Sequence, residues 1–174
     1  AAGKNIWDIG NIGAEPQRAT VMDFTAAYVE IQATYLVPPG SPIQSVDEVD
    51  RPGNRISVSK GSAYGLYLEN HIKQAELLAV EGGDAAFDAF VNDKLEAYAS
   101  LRPRLVTEVE KMPGSRILDG QFSAVQQAVG VNKGNDAAYA WVKDFVENAK
   151  SSGMVAGFIE THGVQGKLSV APPA

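Results

Sequence analysis

The chain has 174 residues, of which 45% are hydrophobic and 21% charged, so it can bury a sizeable core and is not disordered. Its net charge of -6 argues against nucleic acid or an anionic membrane as partner, because both bind clustered basic surface. The absence of cysteine excludes disulfides and thiolate chemistry. No motif predicts a cofactor or a metal site, and no apolar run approaches the ~20 residues of a membrane span.

The N-terminal part of the chain predicts a loop suited to an anion. Residues 6–12 read as a buried strand, followed by a turn containing Asn11 and Gly13 and a short helix that carries Arg18 behind Pro16. A guanidinium fits a carboxylate with two parallel hydrogen bonds, and the N–H groups of a turn add positive charge. The pattern favours capture of a small carboxylate over its conversion. The alternative is that Arg18 is an ordinary surface arginine.

The middle of the chain alternates between strand and helix patterns. A proline-rich run at residues 38–42 interrupts it and is the best candidate for a lobe boundary. This alternation indicates an α/β fold with a parallel, doubly wound sheet, in which ligands lie beyond the C-terminal strand ends. Strands are predicted at residues 28–37, 55–59, 77–80, 95–100 and 116–118, and helices at residues 63–72, after residue 83 and at residues 103–109.

Two strand ends in this region carry candidate ligand-binding residues. Ser62 follows one strand, where it serves as a helix N-cap or as a ligand donor, and Ala63 and Tyr64 open the helix. Ser100 and Arg102 follow another strand. Arg102 is interpreted either as a second cation for the ligand or as a solvated arginine at a helix start.

The C-terminal part predicts one further strand and two helices. Residues 124–131 are β-prone, Asn135 is the expected cap of the next helix, and Trp141 is expected in the core. The apolar stripe of that helix comprises Ala138, Trp141, Val142, Phe145, Val146 and Ala149. The last helix, at residues 154–162, is expected to turn Val155, Phe158 and Ile159 inward, and the proline-rich tail at residues 168–174 to be loose.

One run of residues, AEPQRATVMDFTAAY, carries a family resemblance. Its spacing from Arg18 through Asp23, Phe24 and Thr25 to Tyr28 resembles the T-x-E-R-x-x-x-x-D-F-[ST]-x-x-Y run of periplasmic solute-binding proteins of ABC transporters, family 3. The resemblance implies a two-lobed, type II-like α/β fold with a parallel-type sheet in lobe 2 and an incomplete lobe 1. Residues 1–37 then form part of lobe 1, residues 38–124 form lobe 2, and residues 125–174 supply the hinge return strand and the C-terminal helices of lobe 1.

The resemblance also implies roles for single residues. The lobe 2 turn of the family contacts ligand through a Ser or Thr, which Ser62 matches. Leu101 stands where the family has an aspartate that holds the ligand's ammonium. An apolar residue cannot neutralise that charge, so an acid without the ammonium, or an unusual ligand geometry, is favoured over a standard amino acid. Closure of the lobes about two crossing strands is the expected motion.

The function expected from the resemblance is capture of a small carboxylate-bearing solute for an ABC permease in the bacterial periplasm. A dehydratase of the cyclohexadienyl kind and a binding or adhesion module are alternatives on the same fold. Family members are longer than this chain. It is therefore expected to be a fragment, an incomplete sequence or a variant whose lobe 1 is completed by a second copy.

Overall fold

The computed structural model describes residues 7–165 and 167–174, and the chain divides into two compact units. Unit 1 comprises Ala1–Ile31 and Val125–Ala174, and unit 2 comprises Gln32–Ala124. The predicted division into lobes, with changes after residues 37 and 124, stays a prediction. In the described part of the chain, no helix is both long enough and apolar enough to cross a membrane.

The described residues form strands and helices in alternation through most of unit 2, as the sequence predicts. The strands are β1 (Ile9–Gly13), β2 (Met22–Phe24), β3 (Val29–Val37), β4 (Arg55–Ser59), β5 (Glu76–Val80), β6 (Ala97–Leu101), β7 (Arg116–Ile117), β8 (Ser123–Asn132) and β9 (Ser169–Val170). The α-helices are α1 (Ala63–His71), α2 (Gly83–Asn92), α3 (Arg102–Glu108), α4 (Asp136–Ser151) and α5 (Met154–Thr161), and single 3-10 turns lie at Arg18–Thr20, Val46–Glu48 and Val109–Lys111.

The centre of unit 2 is a parallel sheet, which confirms the predicted α/β class. β4 pairs in parallel with β5 on one side and with β6 on the other. Ile56, Ser57 and Val58 of β4 are all fully buried, as expected for a parallel strand covered on both faces. β3 adds to β6 in the antiparallel direction, with Tyr35 opposite Ala99, so the sheet is mixed at that side.

The core of unit 2 between the sheet and helices α2 and α3 is built around three aromatic side chains. Phe87 and Phe90 of α2 pack on Tyr98 of β6, with ring centroids 5.7 and 6.0 Å away. The buried members of this cluster are Leu36, Ala86, Phe87, Phe90, Leu95, Tyr98 and Leu105. Burial of these side chains fixes β6 and its C-terminal end against α3.

The first strand of unit 1 differs from the prediction. β1 begins at Ile9, whose side chain is 55% exposed, so the prediction of a buried strand is wrong. β1 pairs antiparallel with β8, from Ile9 opposite Val131 to Gly13 opposite Gln127. The prediction assumed a parallel sheet covered on both faces, whereas an antiparallel strand can leave one face open. The expected start at Ile6 lies outside the described residues.

Helix α4 is capped as predicted but buries less of its stripe. The Asn135 side chain accepts a hydrogen bond from the backbone N–H of Ala138 at 3.2 Å. Val142 and Val146 are buried, whereas Trp141 is 67% exposed, so its placement in the core is wrong. A 3.6-residue period shows which residues share a face, but the width of the covered part depends on the packing partner.

The last helix and the tail also depart from the prediction. Val155 is buried, but Phe158 is 59% exposed, so the expectation that it points inward is wrong. The tail is not loose: β9 pairs with the start of β3, and Ala171 is buried. Lys150 adds a hydrogen bond to the Pro172 carbonyl at 2.8 Å. Backbone pairing therefore orders a segment whose prolines alone indicated disorder.

Candidate functional site

The loop after β1 holds the guanidinium of Arg18 against the end of the strand. The backbone N–H groups of Arg18 and Ala19 both donate to the Glu15 carbonyl at 3.0 Å and close a turn. The 3-10 turn Arg18–Thr20 follows directly, as the sequence predicts. Arg18 Nη1 donates to the Gly13 carbonyl at 2.8 Å. This bond fixes the direction of the side chain and brings Gly13 and Arg18 together in unit 1.

A cavity of about 420 Å³ lies beside this loop, and both Asn11 and Arg18 line it. The full lining is Trp7, Ile9, Gly10, Asn11, Ile12, Arg18 and Met22. Trp7 and Met22 were not predicted to belong to it. No local pattern identifies them, because Met22 reaches the cavity through the pairing of β2 with β8. Asn11 and Gly13 lie within β1, so the prediction that they form a turn is wrong. Together with Arg18 and the loop that follows β1 they form one candidate anion site, which we call the Arg18 loop.

The Arg18 loop also contains a carboxyl group. Burial raises the pKa of Glu15 above its usual value, and the positive charge of Arg18 opposes that rise. The Glu15 carboxylate therefore interacts with the positive charge of the Arg18 guanidinium, as would any anion that enters the cavity.

The turn between β4 and α1 is the second candidate anion site. The Ser62 hydroxyl donates to the Ser59 carbonyl at 2.7 Å and accepts from the Gly65 N–H at 3.0 Å, which confirms Ser62 as the N-cap of α1. The Ser62 hydroxyl proton is directed into the turn, so the observed role of this side chain is to stabilise the turn. The N–H groups of Ala63 and Tyr64 open α1, where helix geometry leaves the first amides without intrahelical acceptors. We call residues 59–64 the Ser62 turn.

Gly65 permits the close packing of the Ser62 turn, and the sequence analysis missed it. A Cβ atom at this position would lie 2.6 Å from the Ser59 carbonyl oxygen and 2.8 Å from Ser62 Oγ. Both distances are shorter than real Cβ contacts, so a side chain would push the strand end and the cap apart. The sequence predicts the serine cap, but it does not predict that residue 65 must lack a side chain.

The end of β6 lies beside the end of β4, because Val58 pairs in parallel register with Ala99. The Ser62 turn and residues 100–102 therefore occupy one edge of the unit 2 sheet. Ser100 is fully buried, and its Oγ has no hydrogen-bond partner among the described residues. Its hydroxyl is thus turned into the unit and away from solvent.

Arg102 connects three parts of unit 2. Its Nε donates to Gln32 Oε1 at 2.7 Å, and its Nη2 donates to the carbonyls of Gly120 and Leu118 at 2.7 and 3.3 Å. Arg102 is therefore not a simple solvated arginine, since it holds the start of α3 to β3 and to the loop before β8. The partner Gln32 could not be found from sequence, because the contact joins distant positions.

Leu101 precedes Arg102 as the N-cap residue of α3, and its side chain makes no capping hydrogen bond. It is half-buried at the edge that also carries the Ser62 turn. Lys60 in that turn pairs with Glu81 at 3.2 Å, with both side chains largely exposed. Among the described residues, no group of three or more His, Asp or Glu side chains is placed to hold a metal ion.

A comparison with protein families assigns the chain to one of them. The model of the bacterial extracellular solute-binding proteins, family 3, matches residues 2–164, which is nearly the whole chain. The chain belongs to this family. A comparison with curated proteins gave no match to this solute-binding protein.

Solved structures share the fold of this solute-binding protein at low sequence identity. A binding component of an ABC transporter from Wolinella succinogenes, complexed with lysine, aligns with a TM-score of 0.77 at 17% identity over 92% of this chain and 71% of its own. An ancestral amino acid-binding protein described as a precursor of cyclohexadienyl dehydratase aligns with a TM-score of 0.74 at 19% identity, over 92% of this chain and 71% of its own.

The solute receptor for L-cysteine of Neisseria gonorrhoeae aligns with a TM-score of 0.75 at 21% identity over 92% of this chain and 65% of its own. The chain thus spans between 65% and 71% of the length of these three structures. At such identities the likeness shows the fold alone.

Proposed function

We propose that this solute-binding protein captures a small carboxylate-bearing solute in the periplasm and delivers it to an ABC permease. Family membership supports the binding role. Of two structures with the same fold, one is complexed with lysine and the other is described as a receptor for L-cysteine, and both compounds carry an α-carboxylate. We propose that the chain can also form a homo-oligomer, which a measurement of its mass in solution tests.

The observation that carries the proposal is the Arg18 loop. Its guanidinium is fixed by the Gly13 carbonyl and lines an open cavity of about 420 Å³. A fixed guanidinium loses little side-chain entropy when it binds a carboxylate, and it offers paired donors in one plane. The Ser62 turn supplies a second source of N–H donors in unit 2 through the first turn of α1.

We further propose that the solute lacks an α-ammonium group. The family resemblance puts Leu101 at the position where relatives carry an aspartate that holds this ammonium. The Leu101 side chain is half-buried, and its apolar surface offers no acceptor to a charged amine. An uncompensated ammonium there would cost several kcal/mol, on the order of a buried unpaired charge in a protein.

Isothermal titration calorimetry with matched acid pairs tests the proposal. The pairs are L-glutamate with glutarate, and L-cysteine with 3-mercaptopropionate, which differ only in the α-ammonium. We expect saturable binding of the acid that lacks the ammonium in at least one pair. The affinity for its amino acid partner should be lower by at least about tenfold, because that partner brings an unpaired charge into the site. Arg18→Ala is expected to abolish that binding.

Arg51→Ala is the matched control, because the Arg51 side chain is 62% exposed and forms a surface ion pair with Glu48 at 3.6 Å. Leu101→Asp is the reciprocal variant and is expected to restore preference for the amino acid. Equal binding to wild type and to Arg18→Ala would refute the role of the Arg18 loop. Preference of the wild type for amino acids would refute the role of Leu101.

The dehydratase alternative has one supporting observation, the likeness to the ancestral precursor of cyclohexadienyl dehydratase. Glu15 is the carboxyl group in the Arg18 loop whose pKa is raised, and it would be the natural proton donor. Incubation with prephenate, followed by spectroscopic detection of the aromatic product, decides between the two functions. We expect no turnover, and turnover that is lost in Glu15→Gln would establish the enzyme instead.

A further inference from the structure

A cavity of about 430 Å³ in unit 2 takes no part in the proposed solute site. Its volume lies in the range of small-molecule sites, roughly 300–1,000 Å³. It lies between the C-terminal half of α1, the loop before β5 and the loop before β8. Its lining residues are Tyr35, Val46, Asp47, Asp50, Tyr67, Leu68, His71, Ile72, Gln74, Gln121 and Phe122.

Aromatic rings make up one wall of this cavity. Phe122 lies 4.6 Å from the Tyr35 ring and 6.0 Å from the Tyr67 ring, measured between centroids. His71 stacks on Tyr67 at 3.8 Å with an interplanar angle of 7°. Tyr67 and Phe122 are half-buried, so their rings border the open space. The face of an aromatic ring carries negative potential and attracts a cation placed within about 6 Å of its centre.

Carboxylates stand at the rim of the same cavity. Asp47 is exposed at the one-turn helix Val46–Glu48. Asp50 accepts backbone N–H bonds from Lys73, Gln74 and Ala75 at 3.0, 2.8 and 2.9 Å. Partial burial acts to raise the pKa of Asp50, but these three bonds outweigh it and hold the pKa below its usual value. Asp50 is therefore ionised at neutral pH.

No lysine or arginine of the described ranges lines the cavity, although the Lys73 charge lies close enough to act on Asp50. His71 binds the Tyr67 carbonyl through Nδ1 at 2.7 Å, so one of its ring nitrogens is engaged within α1. The remaining polar groups of the lining, Gln74 and Gln121, are neutral. The combination of ring faces with two carboxylates disfavours an anion and suits a positive charge.

We propose that this cavity binds a small organic cation with an alkylammonium or guanidinium group. His71 covers one face of the Tyr67 ring, so the group lies against the Phe122 ring and the part of the Tyr67 ring that His71 leaves uncovered, and Asp47 and Asp50 balance its charge. The site is separate from the Ser62 turn, because α1 runs from Ala63 to His71 and the two sites use its opposite ends. The inference goes beyond the proposed function and does not depend on it.

Calorimetric titration of the chain with tetramethylammonium chloride and with agmatine, at constant ionic strength, tests the proposal. Neither probe has a carboxylate, so neither satisfies the Arg18 loop. We expect saturable binding together with shifts of the Tyr67 and Phe122 ring resonances in nuclear magnetic resonance spectra. Phe122→Leu keeps apolar volume but removes the ring face, and it is expected to weaken binding about threefold or more.

Asp47→Asn is expected to weaken binding as well, and circular dichroism confirms that each variant is folded. Phe145→Leu and Asp88→Asn are the matched controls, since both residues are exposed and lie outside the cavity. Arg18→Ala should leave binding unchanged, which separates this site from the proposed solute site. A linear response without saturation, equal binding of the neutral probe tert-butanol, or equal loss in the controls would overturn the proposal.

Discussion

A single carboxylate, Asp50, orders the loop between α1 and β5. It accepts three consecutive backbone N–H groups, from Lys73, Gln74 and Ala75. Three consecutive backbone N–H groups of this kind form an anion-binding concavity, and here the anion is the Asp50 carboxylate itself. The same loop enters the parallel sheet, since Arg55 of β4 pairs with Glu76 of β5.

We expect stability to fall in acid in a way that depends on Asp50. Its pKa is depressed in the folded state from its usual 3.8, so its contribution is fully present above that value. The contribution is lost as pH falls through the lower folded pKa, because the protonated carboxyl accepts the N–H bonds weakly. Asp50→Asn should lower the free energy of unfolding at pH 7 and flatten its dependence on pH below about 4.

Urea unfolding at a series of pH values between about 7 and 2 measures this effect. Asp88→Asn, in which an exposed carboxylate of α2 is removed, serves as the control. Curves of the free energy of unfolding against pH that stay parallel for the wild type and Asp50→Asn would contradict the prediction.

At the same scale, the sequence predicted polar residues better than their partners. Ser62 was predicted because a serine before a helix has a local capping role, and Arg18 because a family motif contains it. The tie from Arg102 to Gln32 and the close approach at Gly65 could not be predicted. Both depend on how distant segments pack, and no local pattern contains that information.

Helix α4 shows the same limit at the scale of an element. The helix and its cap were predicted because the apolar period and Asn135 are both local signals. The exposure of Trp141 was not predicted, since the apolar stripe of α4 is wider than the surface of the neighbouring elements that covers it. Trp141 instead stacks on Phe145, with ring centroids 5.5 Å apart and an interplanar angle of 11°.

We expect the two sides of the α4 stripe to differ in their effect on stability. Val146 is 3% exposed and packs with Val131 and Val142, so Val146→Ala should cost about 2 kcal/mol through lost contacts and a cavity. Trp141→Ala should cost less than about 1 kcal/mol, because most of that side chain is already in solvent. Urea unfolding of both variants measures the difference. A larger loss for Trp141→Ala would indicate that its exposed face is covered in solution.

At the scale of the whole molecule, the exposed apolar side chains gather in unit 1. A groove of about 510 Å³ has a lining that is almost entirely apolar. Phe145, Met154 and Phe158 line it and are 49%, 46% and 59% exposed. Water in contact with such a surface is unfavourable, and patches of this kind promote association.

We expect this chain to self-associate through the groove at high concentration. Light scattering after gel filtration should give a mass that rises with concentration, and Phe158→Glu should return it toward that of a monomer. Val91→Glu, at an exposed apolar position of unit 2, is the matched control and should leave the association unchanged. A constant monomer mass for the wild type would contradict the prediction.

The division of the chain into units has a consequence for its synthesis. Unit 2 is one continuous segment, whereas unit 1 combines the first and last parts of the chain. A ribosome releases nearly all of unit 2 before β8. The parallel sheet can therefore form while β1 still lacks β8, in which Val131 is the partner of Ile9. The Arg18 loop, which depends on that pairing, is therefore among the last parts of the chain to acquire its shape.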